Sequence, residues 1–135
     1  MPHKHPHKIQ ARVYFEDTDA GGIVYYANYL RFAERGRTEF LRDLGYDHNK
    51  VREEHKLLLV VRKVEADYIS PAKLDDMLEI GTEVSDFRNS SMTMKQTISR
   101  DGKLLVEIKV VIVALGENGR AVRIPPQLRQ IFGEQ

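Results

Sequence analysis

The residues best suited to chemistry in this sequence are two aspartates, Asp17 and Asp19, which stand just before the glycine pair Gly21 and Gly22. A helix is expected to begin shortly after them, at about Asn28. Glycine permits backbone angles that other residues avoid and lets a ligand approach the main chain closely. Free N–H groups at the start of a helix attract negative charge. The stretch therefore brings an acidic side chain and an electropositive helix start together, and it is our candidate site.

Two regular elements flank this candidate site. From Ile9 to Phe15 apolar residues alternate with polar ones, which is typical of a half-buried strand. A helix is predicted from about Asn28 to Leu44, because its apolar residues recur at three- and four-residue spacing. Asn28 is expected to be its N-cap and Gly45 the residue just past its last turn.

Gly36 lies on the apolar face of the predicted helix, one turn from Ala33. Glycine inside a helix costs about 1 kcal/mol relative to alanine. Its position on the buried face indicates that the helix lies very close to a neighbouring backbone, that of a sheet. We therefore expect the helix to be central in the fold.

The rest of the chain predicts an antiparallel sheet and a short final helix. Residues 47–56 are polar and indicate a connecting loop or a short helical turn. Asp101-Gly102 is a strong signal for a two-residue hairpin, and Pro125-Pro126 favours the first turn of a helix. The expected strands and final helix are Leu57–Ser70, Met77–Arg88, Met92–Ile98, Leu104–Leu115 and Gln127–Phe132. Together these elements predict the α+β class, with a sheet of about five strands wrapped around one long helix.

The length of 135 residues fits one domain over residues 1–135, with residues 1–8 expected to form a flexible tail. One helix cannot cover a sheet of this size, and an exposed sheet edge invites pairing with another chain. We therefore expect a homo-oligomer, at least a homodimer and open to a homotetramer, with edge-to-edge strand pairing as one possible contact.

Composition excludes several classes of function. A net charge of +1 gives no electrostatic reason to expect nucleic-acid binding, and the absence of cysteine removes disulfides, a thiolate nucleophile and a cysteine metal site. The N-terminus lacks the apolar run of a signal peptide, and no apolar stretch is long enough for a transmembrane helix, so a cytoplasmic location is expected. His3, His5 and His7 alternate in the tail without an acidic partner, so we expect no metal site there.

The segment from Asp17 to Tyr29 has the spacing D-x-D-x-x-G-x-V-Y-x-x-x-Y and is followed by the helical residues 32–39. This motif, and the sequence over nearly the whole chain, resembles the hotdog-fold acyl-CoA thioesterases. More narrowly it resembles the 4-hydroxybenzoyl-CoA thioesterase family and its branch associated with the bacterial Tol–Pal system. The resemblance implies a hotdog fold and hydrolysis of a short-chain or aromatic acyl-CoA to free acid and coenzyme A.

The resemblance also assigns roles to residues. It makes Asp19 the catalytic carboxylate, acting as a general base or as a nucleophile, two mechanisms that the sequence does not separate. It points to the backbone N–H of Tyr26 as the group that polarises the thioester carbonyl, a role that suits a helix start. Asp17 is expected to hold the loop, and an imidazole-assisted mechanism is in doubt because the chain has tyrosine at Tyr26, where some members have histidine.

The same resemblance predicts where the substrate binds. Thioesterases of this kind bind coenzyme A at the subunit interface, and no metal or redox cofactor is expected. Arg88 opens a polar turn in the place where the family has basic residues near the nucleotide, which suits phosphate binding. The expected substrate-binding residues are Gly22, Ile23, Val24, Tyr25, Tyr29, Arg88, Ser90 and Ser91.

Other functions were weighed against this one. A non-catalytic module that binds acyl-CoA or acyl-carrier protein stays open, because fold alone does not fix function. Asp19 discriminates the two, since a binding module needs no carboxylate at that position. A hotdog dehydratase is disfavoured because the loop has no histidine, and a metallohydrolase because no ligand set is clustered outside the tail.

Overall fold

The computed structural model describes residues 6–134. A short 3₁₀ turn, Phe15–Asp17, follows the first strand. The other elements are, in order, β1 (His7–Arg12), α1 (Asn28–Asp43), α2 (His48–His55), β2 (Leu57–Tyr68), β3 (Met77–Phe87), β4 (Ser91–Arg100), β5 (Lys103–Gly116) and α3 (Pro126–Ile131). The predicted α+β class is confirmed, and the helical alternative was right for the segment at α2.

All five strands form one antiparallel sheet in the order β1-β3-β4-β5-β2. Strand β5 lies between β4 and β2. The β4–β5 connection is the predicted hairpin, with φ of 52° at Asp101 and 80° at Gly102. Strands β1 and β2 are therefore the two free edges of the sheet.

Helix α1 packs on one face of the sheet across β1, β3 and β4. A Cβ added to Gly36 would lie 2.6 Å from Cγ2 of Ile80 and 3.0 Å from Oγ1 of Thr82. The predicted close approach is confirmed, although the neighbours are side chains of β3 and not a bare backbone. The core under the helix includes Phe32 and Ile98, which are almost fully buried.

The first strand differs from the prediction at both ends. It begins at His7 and ends at Arg12, so His7 and Lys8 belong to β1 and not to a flexible tail. Its pairing with β3 runs from His7, opposite Thr82, to Arg12, opposite Met77. Nε2 of His7 also lies 2.6 Å from Oδ2 of Asp43 at the end of α1. The chain leaves the strand at Val13, which is fully buried and donates its N–H to the carbonyl of Asp76. The expected tail histidines His3 and His5 lie outside the described residues.

The described part of the chain contains no helix that is both long enough and apolar enough to cross a membrane.

Candidate active site

The loop before α1 is a compact turn closed by its own backbone. The N–H of Asp19 donates to the carbonyl of Ile23, and the N–H of Gly22 donates to the carbonyl of Asp19, both over 3.0 Å. Gly22 has φ of 78°, in the left-handed region that favours glycine. The N–H of Val24 then donates to the carbonyl of Ala72 in the segment between β2 and β3. The loop is thus pinned to a second, fixed segment.

Asp17 is a structural residue, as the sequence led us to expect. Its side chain is 6% exposed. Oδ2 accepts the Tyr14 N–H over 2.8 Å, and Oδ1 accepts the side-chain amide of Asn28 over 2.7 Å. Its carbonyl also accepts the N–H of Tyr25. Both carboxylate oxygens are therefore engaged in holding the loop against the start of α1.

The prediction that Asn28 caps α1 was wrong. The N-cap is Ala27, which has helical angles of −67° and −21°, and Asn28 is the first helical residue. A capping side chain needs an extended backbone at its own position. The Asn28 side chain instead turns back to Asp17. Gly45 lies just past the helix with φ of 91°, as predicted.

Asp19 differs from Asp17 because, within residues 6–134, one of its carboxylate oxygens accepts no hydrogen bond. The residue is exposed, and its Oδ1 accepts the Gly21 N–H over 2.9 Å. Within residues 6–134 its Oδ2 accepts no hydrogen bond and joins no salt bridge. The carboxylate borders a cleft of about 310 Å³ that also includes Tyr25, Asn28 and Arg31. This oxygen is free to receive a proton from water or to attack a substrate.

The backbone N–H of Tyr26 is the second free group. The first bonds of the helix run from Asn28 N–H to the Tyr25 carbonyl and from Tyr29 N–H to the Tyr26 carbonyl. Among the residues that the structure describes, the Tyr26 N–H has no acceptor. Such a donor at a helix start suits a developing oxyanion. Tyr26 does not line the 310 Å³ cleft beside Asp19.

Three tyrosine rings make an exposed aromatic group beside the loop. Tyr25 and Tyr26 are 50% and 61% exposed, and their ring centroids lie 5.0 Å apart. Tyr68, at the end of β2, meets Tyr26 edge to face at 6.0 Å. Tyr68 was not among the predicted site residues. Its only signal was that it ends the alternating pattern of β2, which gave no hint that the loop would fold against it.

Tyr29 is buried beneath this exposed group, with its ring centroid 5.7 Å from that of Tyr68, although a substrate-binding role was predicted for it. Its side chain is 3% exposed, and its hydroxyl accepts the N–H of Ala72 over 2.9 Å. Burial raises the pKa of the Tyr29 phenol, opposed by the Ala72 hydrogen bond and the Arg100 charge. In the single chain Tyr29 therefore supports the segment that holds the loop. Of the other predicted binding residues, Val24 is buried, whereas Gly22 and Ile23 are exposed.

The segment that holds the loop is itself fixed by an ion pair. Oδ2 of Asp76 lies 2.6 Å from Arg100 and accepts the N–H of Lys73 over 2.8 Å. Burial alone would raise the pKa of the Asp76 carboxyl, but the Lys73 N–H and the Arg100 guanidinium outweigh it and hold that pKa below its ordinary value. The ionised carboxylate is thus the form that the fold stabilises.

The predicted phosphate-binding turn lies at the other end of the sheet. Arg88 and Ser90 connect β3 to β4 and Ser91 begins β4, whereas the Asp19 loop is bonded to the segment that precedes β3. Strand β3 has 11 residues, and a strand of that length spans about 33 Å. Arg88 is exposed and lies 3.4 Å from Asp86. A single chain therefore does not bring this turn to Asp19.

A buried arginine that the sequence analysis missed fixes this turn. Arg129 is 8% exposed and donates two hydrogen bonds of 2.6 Å to Glu134. It also donates to the carbonyl of Arg88 over 2.9 Å, and its guanidinium stacks 5.5 Å from the Phe87 ring centroid. An arginine in a short polar helix has no periodic signal that would have marked it.

Metal ligands are not grouped in the described part of the chain. Residues 6–134 contain no set of three or more His, Asp or Glu side chains that could hold a metal ion.

Comparison with known proteins gives a consistent picture. A family model described as the thioesterase-like superfamily matches residues 13–132. Acyl-CoA thioesterase YbgC of Haemophilus influenzae is 42% identical over 123 residues, which cover 90% of each chain. A probable thioesterase from Bartonella henselae has a TM-score of 0.84 and 42% identity, over 89% of this chain and 99% of that one. The 4-hydroxybenzoyl CoA thioesterase from Pseudomonas sp. strain CBS-3 shares the fold, with a TM-score of 0.87 at 22% identity over 95% and 99% of the two chains.

Proposed function

The chain belongs to the thioesterase-like superfamily and has the hotdog fold, and we propose that it is an acyl-CoA thioesterase with Asp19 as its catalytic carboxylate. The expected substrate is a short-chain or aromatic acyl-CoA, which is hydrolysed to the free acid and coenzyme A. The named activity of the Haemophilus influenzae relative supports the reaction class. The roles of individual residues rest on the geometry of the loop.

One observation carries the proposal. The loop engages both oxygens of Asp17 but leaves one oxygen of Asp19 free, within the part of the chain described. The Tyr26 N–H at the helix start is likewise free. A thioester places negative charge on its carbonyl oxygen when it is attacked, and a backbone donor stabilises that charge. Asp19 and Tyr26 therefore supply the two groups that the reaction requires.

The reaction has two balanced routes. As a general base, Asp19 takes a proton from water while the water oxygen bonds to the thioester carbon, and the carbon–sulfur bond then breaks. The departing thiolate takes that proton to give coenzyme A. As a nucleophile, Asp19 bonds to the same carbon and releases the thiolate, and water then hydrolyses the mixed anhydride. Both routes end in one acid and one thiol.

The free edge of the sheet at β2 supports a homodimer. Among residues 6–134, strand β2 pairs only with β5, and it has 12 residues. Leu58, Val61, Val64 and Tyr68 on it are 39–46% exposed. A long apolar edge strand is a template for pairing with a second chain, and a twofold axis through two β2 strands joins the sheets of both subunits. We expect this contact to bury that edge.

The proposed dimer also accounts for the position of the phosphate-binding turn. Antiparallel pairing of two β2 strands sets Tyr68 of one subunit beside Leu57 of the other. Leu57 is paired with Gly116, at the end of the sheet where Arg88 lies. Arg88, Ser90 and Ser91 of the partner subunit then share one end of the joined sheet with the Asp19 loop. Coenzyme A would span the two subunits, with its phosphates near the guanidinium.

The experiment is hydrolysis of a panel of acyl-CoA esters, read by release of free thiol. Asp19→Asn is expected to lose at least a hundredfold in kcat with the best substrate, because the amide accepts no proton. Glu117→Gln, which removes a carboxylate from an exposed turn, is the matched control. Wild-type turnover by Asp19→Asn would reject the role of Asp19. Failure to hydrolyse any acyl-CoA or acyl-carrier thioester would favour the non-catalytic binding module.

A further inference from the structure

A second cavity, which we call the Arg37 cavity, lies between the C-terminal half of α1 and the sheet. Its volume is about 280 Å³, and its floor is apolar, with Leu59, Met92, Met94 and Ile112. Glu34 and Arg37 line it from α1. At about 30 Å³ for each water-sized group, it has room for a short chain or one aromatic ring.

Arg37 is held in one orientation by a buried amide. Its Nη1 donates to Oε1 of Gln96 over 2.9 Å. Gln96 is fully buried, and its Nε2 donates to the carbonyl of Ala33 over 2.8 Å and to Oγ1 of Thr82 over 2.9 Å. Both amide hydrogens are thus committed elsewhere, so the amide oxygen must face Arg37. The network sets the guanidinium in the wall of the cavity.

The charge on Arg37 is not matched by a contact ion pair. Within residues 6–134 it forms no salt bridge, and the bond to Gln96 is its one side-chain hydrogen bond. Burial lowers the pKa of Arg37, and the charge of Glu34 opposes this in part. Arg37 is half-buried, a guanidinium has five N–H donors, and a charge partly removed from water gains from a partner. The cavity is therefore suited to an anionic or strongly accepting group.

The proposed dimer connects this cavity to the thioester. Leu59, Val60 and Val61 at the start of β2 line the cavity. With Tyr68 of one subunit beside Leu57 of the other, they lie beside residues 64–66 of the other subunit's β2, which lead to Tyr68, where that ring meets Tyr26. The Arg37 cavity of one subunit then opens towards the reacting bond held by the other. An acyl chain can extend from that bond into the cavity.

We propose that the Arg37 cavity receives the acyl group and that Arg37 selects acyl chains ending in a carboxylate. The substrate class is then the coenzyme A monothioester of a short dicarboxylic acid. Arg37 acts as a specificity residue, and Gln96 positions it. This inference rests on the proposed thioesterase function. It adds that the far end of the substrate's acyl chain carries a carboxylate.

The test compares succinyl-CoA with butyryl-CoA, which have the same number of carbons and differ in the terminal carboxylate. Wild-type protein is expected to hydrolyse succinyl-CoA with a kcat/KM at least tenfold higher. Arg37→Met removes the charge and is expected to lower that preference roughly ten- to hundredfold, the range of a hydrogen bond to a charged group. Turnover of butyryl-CoA is expected to change much less, because its chain does not contact the charge.

The possible results distinguish failure of the Arg37 inference from failure of the thioesterase function. Hydrolysis of butyryl-CoA with an equal or lower rate for succinyl-CoA overturns the inference and leaves the thioesterase function intact. Hydrolysis of neither ester, with all other acyl-CoA esters also inert, overturns both. A preference that persists unchanged in Arg37→Met assigns the selection to another residue and overturns the role of Arg37. If Arg37→Met does not fold, Arg37→Lys is the second variant. It keeps the positive charge but loses the planar set of guanidinium donors, and it is expected to prefer succinyl-CoA over butyryl-CoA less strongly than wild type does.

Discussion

The side-chain amide of Asn28 donates a hydrogen bond to Oδ1 of Asp17 over 2.7 Å, and it joins the first turn of α1 to the loop that presents Asp19. The other oxygen of Asp17 accepts the Tyr14 N–H. The two residues lie 11 positions apart in the chain. Through this contact the loop that presents Asp19 is held against the start of α1, where the free N–H of Tyr26 lies.

Asn28→Ala removes this link and is expected to lower both stability and turnover. The nearly buried Asp17 oxygen loses its donor, which costs about 1–3 kcal/mol of unfolding free energy. We expect kcat to fall several-fold with little change in KM, because the reacting groups are misplaced while the binding surface stays. Urea unfolding and steady-state kinetics measure the two effects. Asn49→Ala, at an exposed position in α2, is the control, and equal behaviour of the two variants would contradict the prediction.

Tyr29→Phe tests the support beneath the loop. The change leaves the N–H of fully buried Ala72 without an acceptor, and we expect a loss of about 1–3 kcal/mol in stability. The segment around Ala72 holds Val24, so kcat should also decrease. Tyr14→Phe removes a hydroxyl from a residue that is 62% exposed and should have neither effect. An unchanged melting temperature for Tyr29→Phe would show that the hydroxyl of Tyr29 does not contribute to stability.

Asp76 predicts a specific dependence of stability on pH. Its pKa is lowered in the folded state, so its contribution is fully present above the unfolded value of about 3.9. That contribution is lost as the pH falls below this value and through the folded pKa, because the carboxylate is then protonated.

The measurement is the free energy of unfolding of wild type minus that of Asp76→Asn between pH 7 and pH 2. The difference should be constant in the neutral range and shrink in acid. Asp101→Asn, in the exposed β4–β5 hairpin, should show no such trend. A difference that grows towards low pH would have the wrong sign for this ion pair.

Val61→Asp tests the β2 interface. Val61 is 46% exposed in the single chain, and in the proposed register a carboxylate there would be buried against the apolar Val64 of the partner subunit without a charged partner. We expect analytical ultracentrifugation to show a dimer for wild type and a monomer for the variant, with hydrolysis lost in parallel. Met77→Asp, at a similarly exposed apolar residue on β3, should stay dimeric. A dimeric Val61→Asp would place the interface elsewhere.

Local sequence signals located the loop, the long helix and the Asp101-Gly102 hairpin, because each depends on neighbours in the chain. The crowded position of Gly36 was also predictable, since glycine on an apolar helix face is unfavourable without a packing reason. The motif spacing selected Asp19 and Tyr26 from their resemblance to a family, and the structure supplied the reason that Asp17 differs from Asp19.

The contacts that position the site were not predictable in the same way. Arg37 bonds to Gln96 across 59 positions, and Arg129 bonds to the turn at Arg88 across 41. A polar residue at such a position has no periodic pattern, because its partner is set by how the strands are ordered in space. Asn28 was misread for a related reason, since its type fits a cap but its nearest acceptor is a side chain from another element.

Gly36 restricts which substitutions the packing of α1 on the sheet allows. The volume that a side chain would fill at this position is occupied by Ile80, Thr82 and Gln96. A larger residue at position 36 is therefore compatible only with smaller residues on β3 and β4. Because Gln96 also orients Arg37, such an exchange would change which acyl groups the protein prefers as well as how the helix packs on the sheet. Helix-to-sheet distance and substrate preference are thus expected to evolve as one coupled trait.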